Sequence, residues 1–121
     1  MSAVSPVVHV LLDQMSEARR GPKRDALFAL WVTVQVTEDL LLDPPQPERA
    51  FRRRVGLLKR RLTSLTVPAS LRRALTGTIA SLERATPSDA ATILSLLAAP
   101  AREALGPEVG DALARSARAA R

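Results

Sequence analysis

Apolar residues recur at helical spacing through most of the chain. Ser5-Pro6 reads as an N-cap followed by proline at the first helical position. Val8, Leu11, Leu12, Met15 and Ala18 then form a first stripe. Gly21-Pro22 is expected to end that helix, on the rule of glycine just after a helix and proline beyond. A second helix is predicted from about 23 to 42, where Asp43-Pro44-Pro45-Gln46-Pro47 cannot continue it. A third is predicted over 48–65. Thr66-Val67-Pro68 opens a fourth, with Leu71, Leu75, Thr78, Ile79 and Leu82 on one face. Thr86-Pro87-Ser88-Asp89 combines a cap, a proline and a first-turn acid, and Ala90, Ile93, Leu94 and Leu97 supply the fifth stripe. Pro100 is expected to bend or break this helix before Gly106-Pro107 closes it. A last, weak helix over 107–121 has few large apolar residues, and its end is expected to fray. The pattern predicts an all-α fold, a compact bundle of five to six short antiparallel helices in one domain spanning 1–121.

One segment opposes an all-helical reading. Trp31-Val32-Thr33-Val34-Gln35-Val36-Thr37 alternates in the manner of a strand and is rich in β-branched residues. Its flanks decide for helix. Asp25 to Leu30 leads in and Glu38 to Leu42 leads out, with no turn signal between, and no partner strand is visible elsewhere. On a helical wheel Leu27, Leu30, Trp31, Val34 and Leu41 share one face, and Phe28, Val32, Val36 and Leu40 a second. A helix apolar on both sides is predicted to be buried at the centre of the bundle. If its short neighbours do not cover it, a second copy or another protein must.

Composition narrows the chemistry. The 121 residues, 46% of them hydrophobic, suffice for one real core. There is no cysteine and no tyrosine, which excludes a disulfide scaffold, a thiolate nucleophile, a cysteine-based zinc site and a tyrosine acid. A single histidine excludes a multi-histidine metal cage. The first residues carry no basic segment of the kind that opens a signal peptide. The longest apolar run, 26–36, contains Thr33 and Gln35 and falls short of the ~20 residues that a membrane-spanning helix needs. The expectation is a soluble, cytoplasmic protein with no membrane span and no cofactor.

Charge is the most informative feature. Lys and Arg number 18 against 12 Asp and Glu, a net +6. Between Glu48 and Glu83 there is no acid, while nine cations fall there: Arg49, Arg52, Arg53, Arg54, Lys59, Arg60, Arg61, Arg72 and Arg73. That window carries +9. The rest, with nine cations and twelve acids, carries −3. Within the third helix Phe51, Val55, Leu58, Leu62 and Leu65 are spaced 4-3-4-3, a seam confined to about 40° either side of its mean direction. Arg49, Arg53 and Arg60 fall near the opposite pole, Arg52 and Lys59 on one flank, Arg54 and Arg61 on the other. Gly56 costs about 1 kcal/mol relative to alanine in mid-helix, and close approach of another backbone would account for it.

A cationic arc without local acids is tolerated if solvent screens it, or if an anionic partner neutralises it. The plainest reading is a solvated face in an arginine-rich protein. Of the binding readings, nucleic-acid backbone is favoured over an acidic protein surface, and both over anionic lipid, because the bundle needs the apolar seam. Arginine's planar fork suits phosphate. The interleaving of aromatic residues with cations that single-strand binders use is missing, because Phe51 lies on the seam of the third helix and Phe28 and Trp31 are expected on the buried second. Any nucleic acid would therefore be held by its backbone. A helix-turn-helix over the third and fourth helices lacks the usual turn glycine and polar recognition residues.

Catalytic chemistry finds no foothold. His9 and Asp13 are placed to make a surface pair. Glu38 and Asp39, being adjacent, point about 100° apart and do not form a working carboxylate pair. No nucleophile elbow, calcium loop or phosphate-cradling glycine loop occurs, and Gly106 to Gly110 matches a small-residue motif only in a polar turn. The expectation is a non-enzyme, acting as a polyanion-binding module or else as a protein-interaction, assembly or adaptor module.

Overall fold

The computed structural model describes residues 5–42 and 47–120. The residues before Ser5, the helix stop expected at 43–46 and the terminal Arg121 lie outside the described residues. The described chain forms six packed helices and no strand: α1 (Pro6–Glu17), α2 (Pro22–Glu38), α3 (Glu48–Ser64), α4 (Ala69–Leu82), α5 (Ala90–Leu105) and α6 (Pro107–Ala119). Short 3₁₀ turns follow α2 at Asp39–Leu41 and precede α5 at Pro87–Asp89. The all-α bundle anticipated from periodicity is present.

Local chemistry sets the ends. Ser5 Oγ accepts from the Val8 amide at 3.4 Å and Pro6 occupies the first position of α1. Thr86 N–H donates to Asp89 Oδ2 at 2.7 Å ahead of α5. One boundary differs from expectation. The helix α1 already ends at Glu17, with Ala18 extended, and Gly21-Pro22 opens α2. Gly21 has φ +147°, a conformation glycine adopts at little cost, and Pro22 takes the first position, where no N–H is needed.

The strand-like stretch of α2 is helical. Its two threonines are fully buried, and their hydroxyls are satisfied within the helix. Thr33 Oγ1 donates to the Ala29 carbonyl at 2.7 Å, and Thr37 Oγ1 to the Thr33 carbonyl at 2.8 Å. Helices α1, α3, α4 and α5 all pack on α2, and Leu27, Leu30 and Val34 are completely enclosed. The chain itself thus encloses one side of the central helix, while Phe28, Trp31, Val32 and Leu40 stay half-buried and Leu41 exposed.

Helix α5 runs through Pro100 without a break. The proline forfeits one backbone hydrogen bond, but Ala101 and Leu105 beyond it are buried, so tertiary packing holds the last turns in line. Their partner is α6, whose Val109, Ala112, Leu113 and Ala117 are buried. These side chains are mostly small, and α5 and α6 pack along each other with a close approach at Gly110. Gly110 makes that approach feasible. A Cβ there would lie 2.6 Å from Arg102 Cβ and 3.2 Å from the Ala98 carbonyl oxygen. One core joins all six helices. No helix among the described residues is long and apolar enough to cross a membrane.

Candidate polyanion-binding surface

Helix α3 buries Val55, Leu58 and Leu62, with Phe51 and Leu65 half-buried at its ends, as the seam requires. Its cations therefore face outward, yet they are not equivalent. Arg52 pairs with Glu48 one turn back at 2.7 Å. Arg54 pairs with Asp39, which the 3₁₀ turn after α2 carries to it. Lys59 pairs with Glu83, at the end of α4, at 3.2 Å. Arg72 spends its guanidinium on the C-terminal carbonyls of α3, with Nη1 donating to Leu62 at 3.1 Å and Nη2 to Leu65. The expected surface without local compensation is thus corrected: carboxylates from the flanks of the acid-free window fold back onto it.

What is left is narrower. Arg49, Arg53 and Arg60 are exposed and have no acidic partner among the described residues. They form one row, with axial steps of about 6 and 10 Å at 1.5 Å rise per residue. Arg73 is exposed on the outer side of α4, away from that row in sequence and on another helix. Arg61 is exposed, and its guanidinium lies over the Phe28 ring, 5.6 Å from the centroid. Gly56 does not serve close backbone approach, since a Cβ there meets nothing within 4 Å.

Sequence reasoning missed residues beside this surface. Arg20, Arg24, Met15 and Phe28 line a groove of about 380 Å³ together with Gly21 and Asp25. Arg24 and Phe28 are one helical turn apart, a spacing that signals a shared face. The apolar pattern places Phe28 on a buried side, but that side of α2 is only partly covered, leaving the ring half-buried. The second ring, Trp31, stands 5.8 Å from it, tilted by 38°. Asp25 is tied down, with Oδ2 accepting from the Thr66 amide at 2.8 Å.

The two carboxylates at the end of α2 diverge as their sequence adjacency demands. Glu38 accepts from Ser5 Oγ at 3.1 Å. Burial pushes its carboxyl above the ordinary range, against the Ser5 hydrogen bond. Asp39 is also raised by burial, with the Arg54 guanidinium pulling the other way. Both hold helices together: Glu38 ties the start of α1 to α2, and Asp39 ties α3. His9 and Asp13 are exposed, and no ion pair joins them. Among the described residues, no three His, Cys, Asp or Glu side chains gather in a way that would hold a metal ion.

No protein-family model matches the chain, and neither a curated protein nor a solved structure resembles it significantly.

Proposed function

We propose that the chain is a non-catalytic helical module that holds the phosphate backbone of a nucleic acid on the outer arc of α3, as a subunit of a larger nucleoprotein complex. The supporting observation is selective neutralisation. The fold supplies partners for Arg52, Arg54, Lys59 and Arg72, but leaves Arg49, Arg53 and Arg60 aligned and unpaired among the described residues. Three like charges in a row repel one another, and a polyanion relieves that repulsion while releasing its own counterions. Guanidinium forks suit phosphate oxygens. A cytoplasmic location belongs to this reading and rests on the cysteine-free composition.

Anisotropy titration with short labelled RNA and DNA at two salt concentrations tests it. With three to five phosphates engaged, affinity should fall about 40- to 500-fold for a duplex, or about 20- to 130-fold for a single strand, between roughly 50 and 200 mM salt. Arg53→Glu with Arg60→Glu should weaken RNA and DNA alike. No binding at low salt would remove the reading. A second reading, docking on an acidic protein or a second copy, is favoured by Leu57 on α3, which is 49% exposed beside the arginines. It predicts concentration-dependent mass in light scattering and indifference to nucleic acid.

A further inference from the structure

We infer that the nucleic acid held on α3 is single-stranded, and that one of its bases stacks at the Arg61–Phe28 pair, beside the groove carrying Arg20 and Arg24. This rests on the polyanion reading and adds a base contact to it. Arg20 from the α1–α2 connection and Arg24 from α2 line the groove together with the half-buried Phe28 ring, and Arg61 from α3 lies over that ring. Against Arg20 and Arg24 the groove sets one carboxylate, that of Asp25, already engaged by the Thr66 amide. The remaining charge favours an anion. The ring and the guanidinium over it favour a flat, polarisable partner, because bases stack on both aromatic faces and guanidinium planes. A duplex offers phosphates but keeps its bases paired and inside. A single strand offers both. Arg61 belongs to the same helix as the Arg49–Arg53–Arg60 row but stands about 100° around it from Arg60, so a strand lying along that row reaches the Phe28 ring by turning over the flank of α3.

The test uses fluorescein-labelled single-stranded DNA of about ten nucleotides, the same sequence as RNA and as a duplex, and an abasic strand of equal charge. The wild-type chain should bind the single strands more tightly than the abasic strand or the duplex. Phe28→Leu, with folding checked by circular dichroism, should weaken the base-bearing strands about tenfold, leaving the abasic strand and the salt dependence unchanged. Comparing the DNA and RNA arms identifies which strand is preferred. Trp31, the single tryptophan, gives a readout that needs no variant. Standing 5.8 Å from Phe28, its fluorescence should change with base-bearing strands and not with the abasic one. Equal binding of duplex, abasic and single strands, with silent Trp31 fluorescence, would overturn base stacking while leaving the backbone reading intact. Displacement of the strand by polyglutamate at matched charge would also overturn it, in favour of a protein ligand. Absence of binding by every probe would overturn both.

Discussion

Two glycines in helices of the same bundle should respond to alanine in opposite directions. At Gly56 in α3 a Cβ meets nothing within 4 Å, so Gly56→Ala adds a methyl group to open space. It should stabilise by about 1 kcal/mol, through better helix propensity and a less flexible unfolded chain. For a chain of this length that corresponds to a rise in Tm of about 4 °C. Gly110 in α6 is constrained from outside its own helix. The new Cβ would stand 2.6 Å from Arg102 Cβ, 2.8 Å from Arg102 Nε and 3.2 Å from the Ala98 carbonyl oxygen. The Arg102 side chain can rotate its far end away, but Cβ and the Ala98 carbonyl move only if α5 moves. Overpacking of this kind costs about 1–3 kcal/mol or more, which outweighs the propensity gain of about 1 kcal/mol. The exposed Arg102–Asp111 ion pair would be disturbed as well, at a cost of at most about 1 kcal/mol. Urea denaturation followed by far-ultraviolet circular dichroism measures both variants. A Gly110→Ala protein as stable as wild type would refute the close α5–α6 contact, and a destabilised Gly56→Ala would refute the open face of α3.

Other outcomes follow from the same contacts. Arg72→Met should destabilise by about 1–3 kcal/mol, because the Leu62 and Leu65 carbonyls lose their donor. Arg73→Met, on an exposed face, should change stability by less than about 0.5 kcal/mol; equal effects in urea titrations would refute the capping role of Arg72. Glu38 is raised above its ordinary value in the folded protein, so the native state binds its proton more tightly than the unfolded chain does. Its contribution to stability is therefore greatest when it is protonated and declines as pH rises from the ordinary value of 4.5 towards the raised one. Glu38→Gln keeps an acceptor for Ser5 and should remove that decline, so the stability difference between variant and wild type should grow in the variant's favour over this window. A pH-independent difference in thermal melts would contradict the buried placement of Glu38. Arg53→Glu with Arg60→Glu should leave urea stability nearly unchanged while weakening nucleic-acid binding, since neither residue has a partner among the described residues; a large loss of stability would point to contacts that the exposed row does not have.

Much of this protein follows from short-range chemistry. The 4-3-4-3 spacing from Phe51 to Leu65 determined that α3 turns one stripe inward and its arginines outward, and the prolines and caps at Ser5-Pro6 and Thr86-Pro87 determined where helices start. These depend on residues within a few positions of one another, which is the range that periodicity and capping describe. Gly21-Pro22 was legible as punctuation but not as to which helix it served, because Gly21 suits either a stop or a start. The groove residues were not legible, since the exposure of Phe28 depends on how far the neighbours of α2 extend over it. Apart from the one-turn pair Arg52–Glu48, which cations stay unpaired was decided by folding. Asp39 reaches Arg54 from 15 positions away and Glu83 reaches Lys59 from 24 positions away. The count of charges in the acid-free window did not change, but the part that no carboxylate or helix-end carbonyl engages among the described residues shrank to Arg49, Arg53, Arg60, Arg61 and Arg73. The sequence by itself determined the helices and the sign of their outer faces. Tertiary packing decided which of those charges, and which aromatic ring, remain at the surface, because Coulomb pairing and burial depend on distance in space and not along the chain.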